Sequence, residues 1–391
     1  MNRSPVLTIY KKEMLDTIRD RRTLISMVVV PLAAIPLLFL VMSKFVSSSE
    51  KIAGNEAAAI AVRNADRLPG LLNALAQAGF KLATRDDIKA AIERKEIAAG
   101  VEPVELPGQG KIEVRVYADL TRRSSEVASG RIRAALAAFR QDSIRLKLTA
   151  LGLPVSIADP FAVKPVNIAP EKKMAGLFWG SMVGYFVVLL MFTGGMYPAI
   201  DMTAGEKERR TLEILLCSPA GRNEIVLGKI LAASTAAFLT ATLNVASLTY
   251  SFRSGIMGPE IHKVLEGVRP NLGAVLLVLL AVLPTAVTAA AVMITISLFA
   301  KSFKEGQSYL TPLIMLVIFP AMIGMLPGVE ANPLLAMLPV FNVTQLIKSI
   351  FNGEYTAASF LLPFGSNLLY AAVAFYMAVR IFKREDVLFR S

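Results

Sequence analysis

Six stretches of this chain, residues 23–45, 174–200, 225–251, 272–300, 309–326 and 357–382, are long and almost unbroken in apolar character. A helix needs about 20 apolar residues to cross the hydrocarbon core of a bilayer, so runs of this length leave few other folds open. The apolar residues are continuous and do not alternate, which points to spanning helices and away from a barrel. With 54% hydrophobic and only 18% charged residues among 391, the expected class is an α-helical integral membrane protein with six transmembrane helices. Pro31, Pro36, Pro284, Pro312 and Pro320 fall inside spans, where neighbouring helices can satisfy the carbonyls they free.

The formal charge of +12 gathers beside these runs. One set of short segments holds Arg3, Lys11, Lys12, Arg19, Arg21 and Arg22, then Lys207, Arg209, Arg210, Arg222 and Lys229, then Lys301 and Lys304, then Arg380, Lys383, Arg384 and Arg390. The opposite short loops hold only Arg253, Lys263, Arg269 and Lys348. The positive-inside rule then predicts both termini in the cytoplasm of a cell-membrane protein, with the lipid bilayer and no nucleic acid as the partner of this charge. Residues 1–22 read as a cytoplasmic interfacial helix with Val6, Ile9, Tyr10, Met14 and Ile18 on its apolar face. The first apolar run, 23–45, reads as a retained anchor. Cys217 is the only cysteine and His262 the only histidine, so neither a disulfide nor a metal site is predicted.

Residues 46–173 lack a spanning run and suffice for a domain of their own. Strands are expected at 57–62, 80–83, 97–104, 112–117 and 161–168. Helices are expected at 68–78, from Asp86 and Asp87 to Arg94, and at 124–151, with Pro107, Gly108 and Gly110 in a turn. This is an extracytoplasmic α/β domain between the first and second spans. Its acidic pairs, Asp86/Asp87 and Glu93/Glu96, suit helix capping better than catalysis, and no enzyme activity is read from it.

Residues 174–382 form the five-helix transmembrane domain. Gly176, Gly180 and Gly184 recur every four residues and align for close helix packing. Thr240, Asn244, Ser247 and Thr288 place polar groups inside spans, as a candidate substrate path or as hydroxyls that bond neighbouring backbone. Residues 327–356 are too short and proline-rich to cross twice and read as a re-entrant element before the sixth span, with 383–391 as a cytoplasmic tail. The cores of the spans are read as free of ionisable side chains, which argues against an ion-coupled carrier. Gly228-Lys229 is followed by Ile230 and lacks the upstream glycine of a P-loop, so no ATPase is encoded.

The segment 201–229 is the most informative. Read as a helix, it sets Leu212, Leu215 and Leu216 on one face, with Glu206, Glu208, Arg209, Arg210 and Glu213 around them. The motif Thr203-Ala-Gly-Glu-Lys-Glu-Arg-Arg-Thr-Leu-Glu-Ile-Leu-Leu-Cys-Ser-Pro219, continuing to Glu224-Ile-Val-Leu-Gly-Lys229, resembles the cytoplasmic coupling segment of ABC type-2 permeases. Leu338-Pro-Val-Phe-Asn-Val-Thr344 with Gly353-Glu354, and the tail Phe382-Lys-Arg-Glu-Asp-Val-Leu-Phe389, are similar to the NatB-like, sodium-efflux branch. Arg210 departs from the pattern, which has Gly after Glu-Arg. The resemblance implies a permease subunit, as a homodimer or paired with a second permease, that works with separate ABC ATP-binding subunits. ATP and Mg would bind those subunits, and no cofactor would bind this chain. Glu206, Glu208, Arg209, Arg210 and Glu213 would make charged contacts with the motor, while Leu212, Leu215 and Leu216 would fill its cleft. Sodium efflux is the implied activity. A drug, lipid or peptide exporter and a non-transporting anchored scaffold are the alternatives.

Overall fold

The computed structural model describes residues 4–56, 58–85, 87–106, 112–154, 157, 171–256, 271–326, 335–353 and 355–384. The chain divides into two compact units, one of residues 1–41 with 167–391 and one of residues 42–166.

The first unit opens with α1 (Pro5–Arg19), N-capped by Ser4. Asp20 interrupts the helix and caps the next one, its carboxylate accepting from the N–H groups of Arg22 and Thr23 at 3.1 Å. Partial burial would raise the Asp20 carboxyl, but these bonds and the Thr23 hydroxyl hold it below its ordinary range. Helix α2 then runs over 21–56, with a π-helical turn at Ile25–Val29; its residues up to 41 belong to this unit and the rest to the second. Pro36 lies within it and cannot donate to the carbonyl of Leu32; the hydroxyl of Ser247 donates to that oxygen at 3.0 Å.

In the second unit, β1 (Ala59–Val62), α3 (Leu71–Gln77), β2 (Lys81–Ala83), α4 (Ile88–Glu93), β3 (Ala99–Glu105), β4 (Ile112–Ala118) and α5 (Arg123–Ala150) follow in order. The sheet order is β2-β1-β3-β4, with β1 parallel to both neighbours and β3–β4 antiparallel. Helices cover both faces. Ile60, Leu71, Leu75, Val101, Ala128 and Ile132 form one core, and Ala61, Ile88, Ala91 and Ile92 the other. Gly100 is required here, since a Cβ on it would lie 2.1 Å from Ile88 Cγ2. Asp87 caps α4 by accepting from Ala90 N–H at 3.0 Å. Asp86, Pro107, Gly108, Gly110 and the strand expected at 161–168 lie outside the described residues.

The first unit resumes with α6 (Glu171–Ile200), then a helical turn at Thr211–Leu216 (α7), α8 (Arg222–Arg253), α9 (Leu272–Ser297), α10 (Phe303–Ile323), α11 (Phe341–Asn352) and α12 (Ala357–Phe382). Among the described residues six helices are long and apolar enough to cross a membrane, at Arg21–Phe45, Gly180–Glu208, Arg222–Arg253, Leu272–Ser297, Phe303–Ile323 and Ala357–Phe382. Leu37, Phe45, Leu316, Phe319, Leu361 and Leu369 stand exposed on three of them. A soluble surface does not tolerate that much exposed apolar area, whereas lipid chains do. The second span ends later than the expected 200. Its helix continues through a π turn at Asp201–Gly205 and a last turn at Glu206–Glu208.

Helix α11 is buried along most of its length, from Phe341 to Lys348. Gly180 and Gly184 of α6 admit it: a Cβ on Gly180 would lie 3.1 Å from Lys348 Cα, and one on Gly184 2.9 Å from the Thr344 carbonyl oxygen. The surroundings of Gly176 lie outside the described residues. Val340 opens α11 at φ 70, ψ −54, with Phe341 N–H donating to Pro339 O at 2.8 Å. That is a γ-turn at a positive φ which a β-branched residue rarely adopts, a strain of about 1–3 kcal/mol held in place by the packing around it. Asn342, Asn367 and Ser366 bond one another beside it, at 2.9 Å and 3.3 Å.

Candidate functional site

The segment 201–229 is wired side chain by side chain into the bundle. Its π turn carries Glu206 inward, to 3% exposure, where it meets Lys229 of α8 and the polar side of α1. The Lys229 ammonium is fully buried. It donates to Glu13 Oε1 at 2.8 Å, to Glu206 Oε2 at 2.7 Å and to the Met202 carbonyl at 2.8 Å, so all three of its donors are used. Lys12 donates to Glu206 Oε1 at 2.6 Å and to Glu13 Oε1 at 3.2 Å. Two ammonium groups therefore neutralise two carboxylates. Burial would lower the Lys12 ammonium, but the Glu13 and Glu206 carboxylates outweigh it and hold the group above its ordinary value. Lys12 thus stays charged throughout the neutral range.

Glycine makes this approach geometrically possible. A Cβ on Gly228 would lie 2.7 Å from Ile9 Cγ2 and 3.2 Å from the Val6 carbonyl oxygen, so α1 crosses α8 on bare backbone one residue before Lys229. The buried stripe of α1 is Ile9, Glu13 and Thr17, with Tyr10 and Met14 beside it. Ile18, expected on the apolar face, is 53% exposed.

The next residues reach other helices. Lys207 donates to the carbonyl of Leu298, just beyond α9. Glu208 accepts from Phe303 N–H at 2.7 Å and so caps α10. Arg209 pairs with Asp201 at 2.9 Å. Arg222 donates to the Lys383 carbonyl at 3.1 Å, at the end of α12. Side-chain bonds thus tie this segment to α1, α8, α10 and the ends of α9 and α12. Beside it lies a cleft of about 690 Å³, lined by side chains of both signs that include Asp16, Arg19, Arg22, Glu208 and Arg209.

The expected single amphipathic helix is instead broken at Arg210, which sits at φ 58, ψ 20. This is the left-handed region that glycine enters freely, and it accounts for the Gly of the family pattern at this position. The break turns α7 so that Leu212 is buried at 3% exposure, while Leu215 and Leu216 pack half-buried on the bundle. The leucine face therefore points into this chain. The outward face carries Glu208, Arg209, Arg210, Glu213, Cys217 and Ile214, which is 72% exposed. Periodicity missed Ile214 because Thr211-Leu-Glu-Ile-Leu-Leu216 is apolar nearly all round and cannot say which side is covered. From the sequence alone Lys229 reads as a loop cation and the spans as charge-free. In fact Lys229, Glu13 and Glu206 are buried in the bundle unit. The readable signal was Glu13, four residues from both Ile9 and Thr17 on the buried stripe.

Of the four candidate path residues, three are engaged. Thr240 donates to its own helix at Ala236 O, 2.9 Å away, and lies against Gly194. Ser247 donates to the Leu32 carbonyl. Thr288 donates to the carbonyls of Pro284 and Asn367, at 3.0 Å and 3.4 Å. Asn244 differs: it is fully buried and neither of its amide atoms has a partner. Thr285 of the neighbouring α9 also has an unpartnered, buried hydroxyl. Among the described residues no three His, Cys, Asp or Glu side chains gather as metal ligands would.

The ABC-2 family transporter proteins match this sequence over residues 7–387, nearly end to end. The chain belongs to that family. This ABC-2 permease is also 26% identical to the ABC transporter permease protein NatB of Bacillus subtilis (strain 168), over 96% of its own length and 97% of that protein. No solved structure matches it. As an ABC-2 permease with several helices long and apolar enough to cross a bilayer, it is a multi-pass membrane protein and the transport component of an ABC transporter.

Proposed function

We propose that this permease couples an external ATPase to export through the segment 201–229. The observation that carries the reading is the internal wiring just described, with an exposed, mixed-charge face around Ile214 on its outer side. That face suits docking to an ABC ATP-binding subunit, which would hold ATP and Mg. It would lie in the cytoplasm with both termini, and residues 46–173 would lie outside. A segment tied to several helices at once behaves as one lever, the kind of element that links two packed states. The residues in contact with the motor would be Glu208, Arg209, Arg210, Glu213 and Ile214; Glu206 and Leu212 would hold the lever to its own bundle. Helix α11 would be the re-entrant element. Two permease chains would complete the transporter.

The test uses the only cysteine. Cys217 is exposed next to this face, so addition of the ATP-binding subunit should protect it from a membrane-impermeant maleimide. Ile214→Asp should weaken docking by about 2 kcal/mol, roughly thirtyfold, as loss of an apolar anchor does. Unchanged protection and ATP-driven export in that variant would exclude this face as the docking site.

For the substrate, the implied Na⁺ is the first to test, against a lipid, drug and peptide panel. Asn244 is the residue to follow, because amide and hydroxyl oxygens can ligate a hard cation. Asn244→Leu removes two unsatisfied buried groups and should raise thermal stability by about 1–3 kcal/mol. If Asn244 lies on the path, Na⁺-stimulated ATPase of the reconstituted transporter falls in the same variant. A more stable variant with full stimulation leaves Asn244 off the path.

A further inference from the structure

The α/β unit contains a groove that the coupling machinery does not use. It lies between the edge strand β4 and the middle of α5 and has a volume of about 610 Å³. Alternation along β4 turns Ile112, Val114 and Val116 to the side that α5 covers. The first turns of α5 close on the sheet there through Ala128 and Ile132, both fully buried. Farther along, Leu136 and Phe139 are only half-buried, so helix and strand leave an apolar trough between them.

Two cations stand in its wall. Arg133 and Arg140 are two helical turns apart on one face of α5, and both are exposed. Arg133 donates to Ser129 Oγ at 2.8 Å, and neither guanidinium pairs with a carboxylate among the described residues. Elsewhere in the unit Arg63, Arg85, Arg115 and Arg123 each face a glutamate within 4 Å; Arg133 and Arg140 are the arginines that line the groove, and their charge is free to meet an anion there. An apolar trough of this size suits a small ligand, and a guanidinium is the group best shaped for a carboxylate or phosphate.

We propose that this groove binds an amphipathic anion. Its acyl chain would lie against Val114, Val116, Leu136 and Phe139, and its carboxylate or phosphate head would be held by Arg133 and Arg140.

The test uses the full chain in phosphatidylcholine nanodiscs with three photoactivatable probes of equal chain length: a fatty acid, a lysophosphatidic acid and the fatty alcohol. Labelled peptides are mapped by mass spectrometry. At least one anionic probe should label residues 112–118 and 133–143 about tenfold more than the alcohol does, the factor a charge-assisted hydrogen bond supplies. Which anion labels more strongly identifies the head group. The double variant Arg133→Gln, Arg140→Gln should remove that preference, and Ala137→Trp, which fills the trough, should reduce labelling by all three probes. Thermal unfolding of each variant checks the fold. Equal labelling by acid and alcohol, labelling confined to the spanning helices, or undiminished preference in the double variant would each overturn the proposal.

Discussion

Lys229→Met is expected to destabilise the bundle by about 3–5 kcal/mol, the usual cost of leaving a buried charge without its partner. Methionine matches the lysine stem in volume, so the loss is electrostatic and not a cavity. In the variant the two buried carboxylates, Glu13 and Glu206, keep only Lys12 to neutralise both. A drop in unfolding temperature of the purified protein measures the effect. Recovery is expected when Glu13→Gln is added, because Lys12 and Glu206 then remain as one ion pair and no buried carboxylate is left without a counter-charge. If the single variant is as stable as the parent, the network does not hold α1 to α8. If this double variant recovers stability but not ATP-driven export, the ions serve motion more than cohesion.

Gly184→Ala is expected to cost about 1–3 kcal/mol, since one methyl group in a closed helix contact forces backbone apart. The new Cβ would meet the Thr344 carbonyl oxygen at 2.9 Å and its Cα at 3.2 Å, against the 3.4–4 Å of ordinary contact. These are backbone atoms, so trimming the threonine does not help. Gly324→Ala makes the useful contrast, because there the clash is with Thr344 Oγ1, at 2.7 Å, at the tip of a side chain. Adding Thr344→Ala should therefore rescue Gly324→Ala and leave Gly184→Ala unrescued, read as unfolding temperatures. Rescue of both would mean that α6 and α11 meet through side chains.

Much of the outer plan was legible because it rests on local signals. The α/β unit's helices and strands fall within a few residues of expectation. Asp87 caps its helix, and Gly100 was the kind of residue whose necessity only the packed neighbour Ile88 reveals. The coupling segment was legible as a motif but not as a surface. Its leucines have the spacing of a docking face, yet a left-handed Arg210 rotates them inward and turns Ile214 out. Three of the four candidate path residues, Thr240, Ser247 and Thr288, proved to satisfy backbone carbonyls, two of them on or beside proline-containing helices.

By itself, then, the sequence determined the membrane class, the six long apolar helices and the kinship with ABC-2 permeases. Each depends on run length, composition or contiguous motif, and none needs a distant residue to be in place. The tertiary structure alone decided that Glu13, Glu206 and Lys229, far apart along the chain, meet in one buried ion network. The physical reason is that a charge in a linear sequence has no environment. Whether it faces water, lipid or an opposite charge is set only when α1 crosses α8 at Gly228 and the π turn at 201–205 aims Glu206 at the same point.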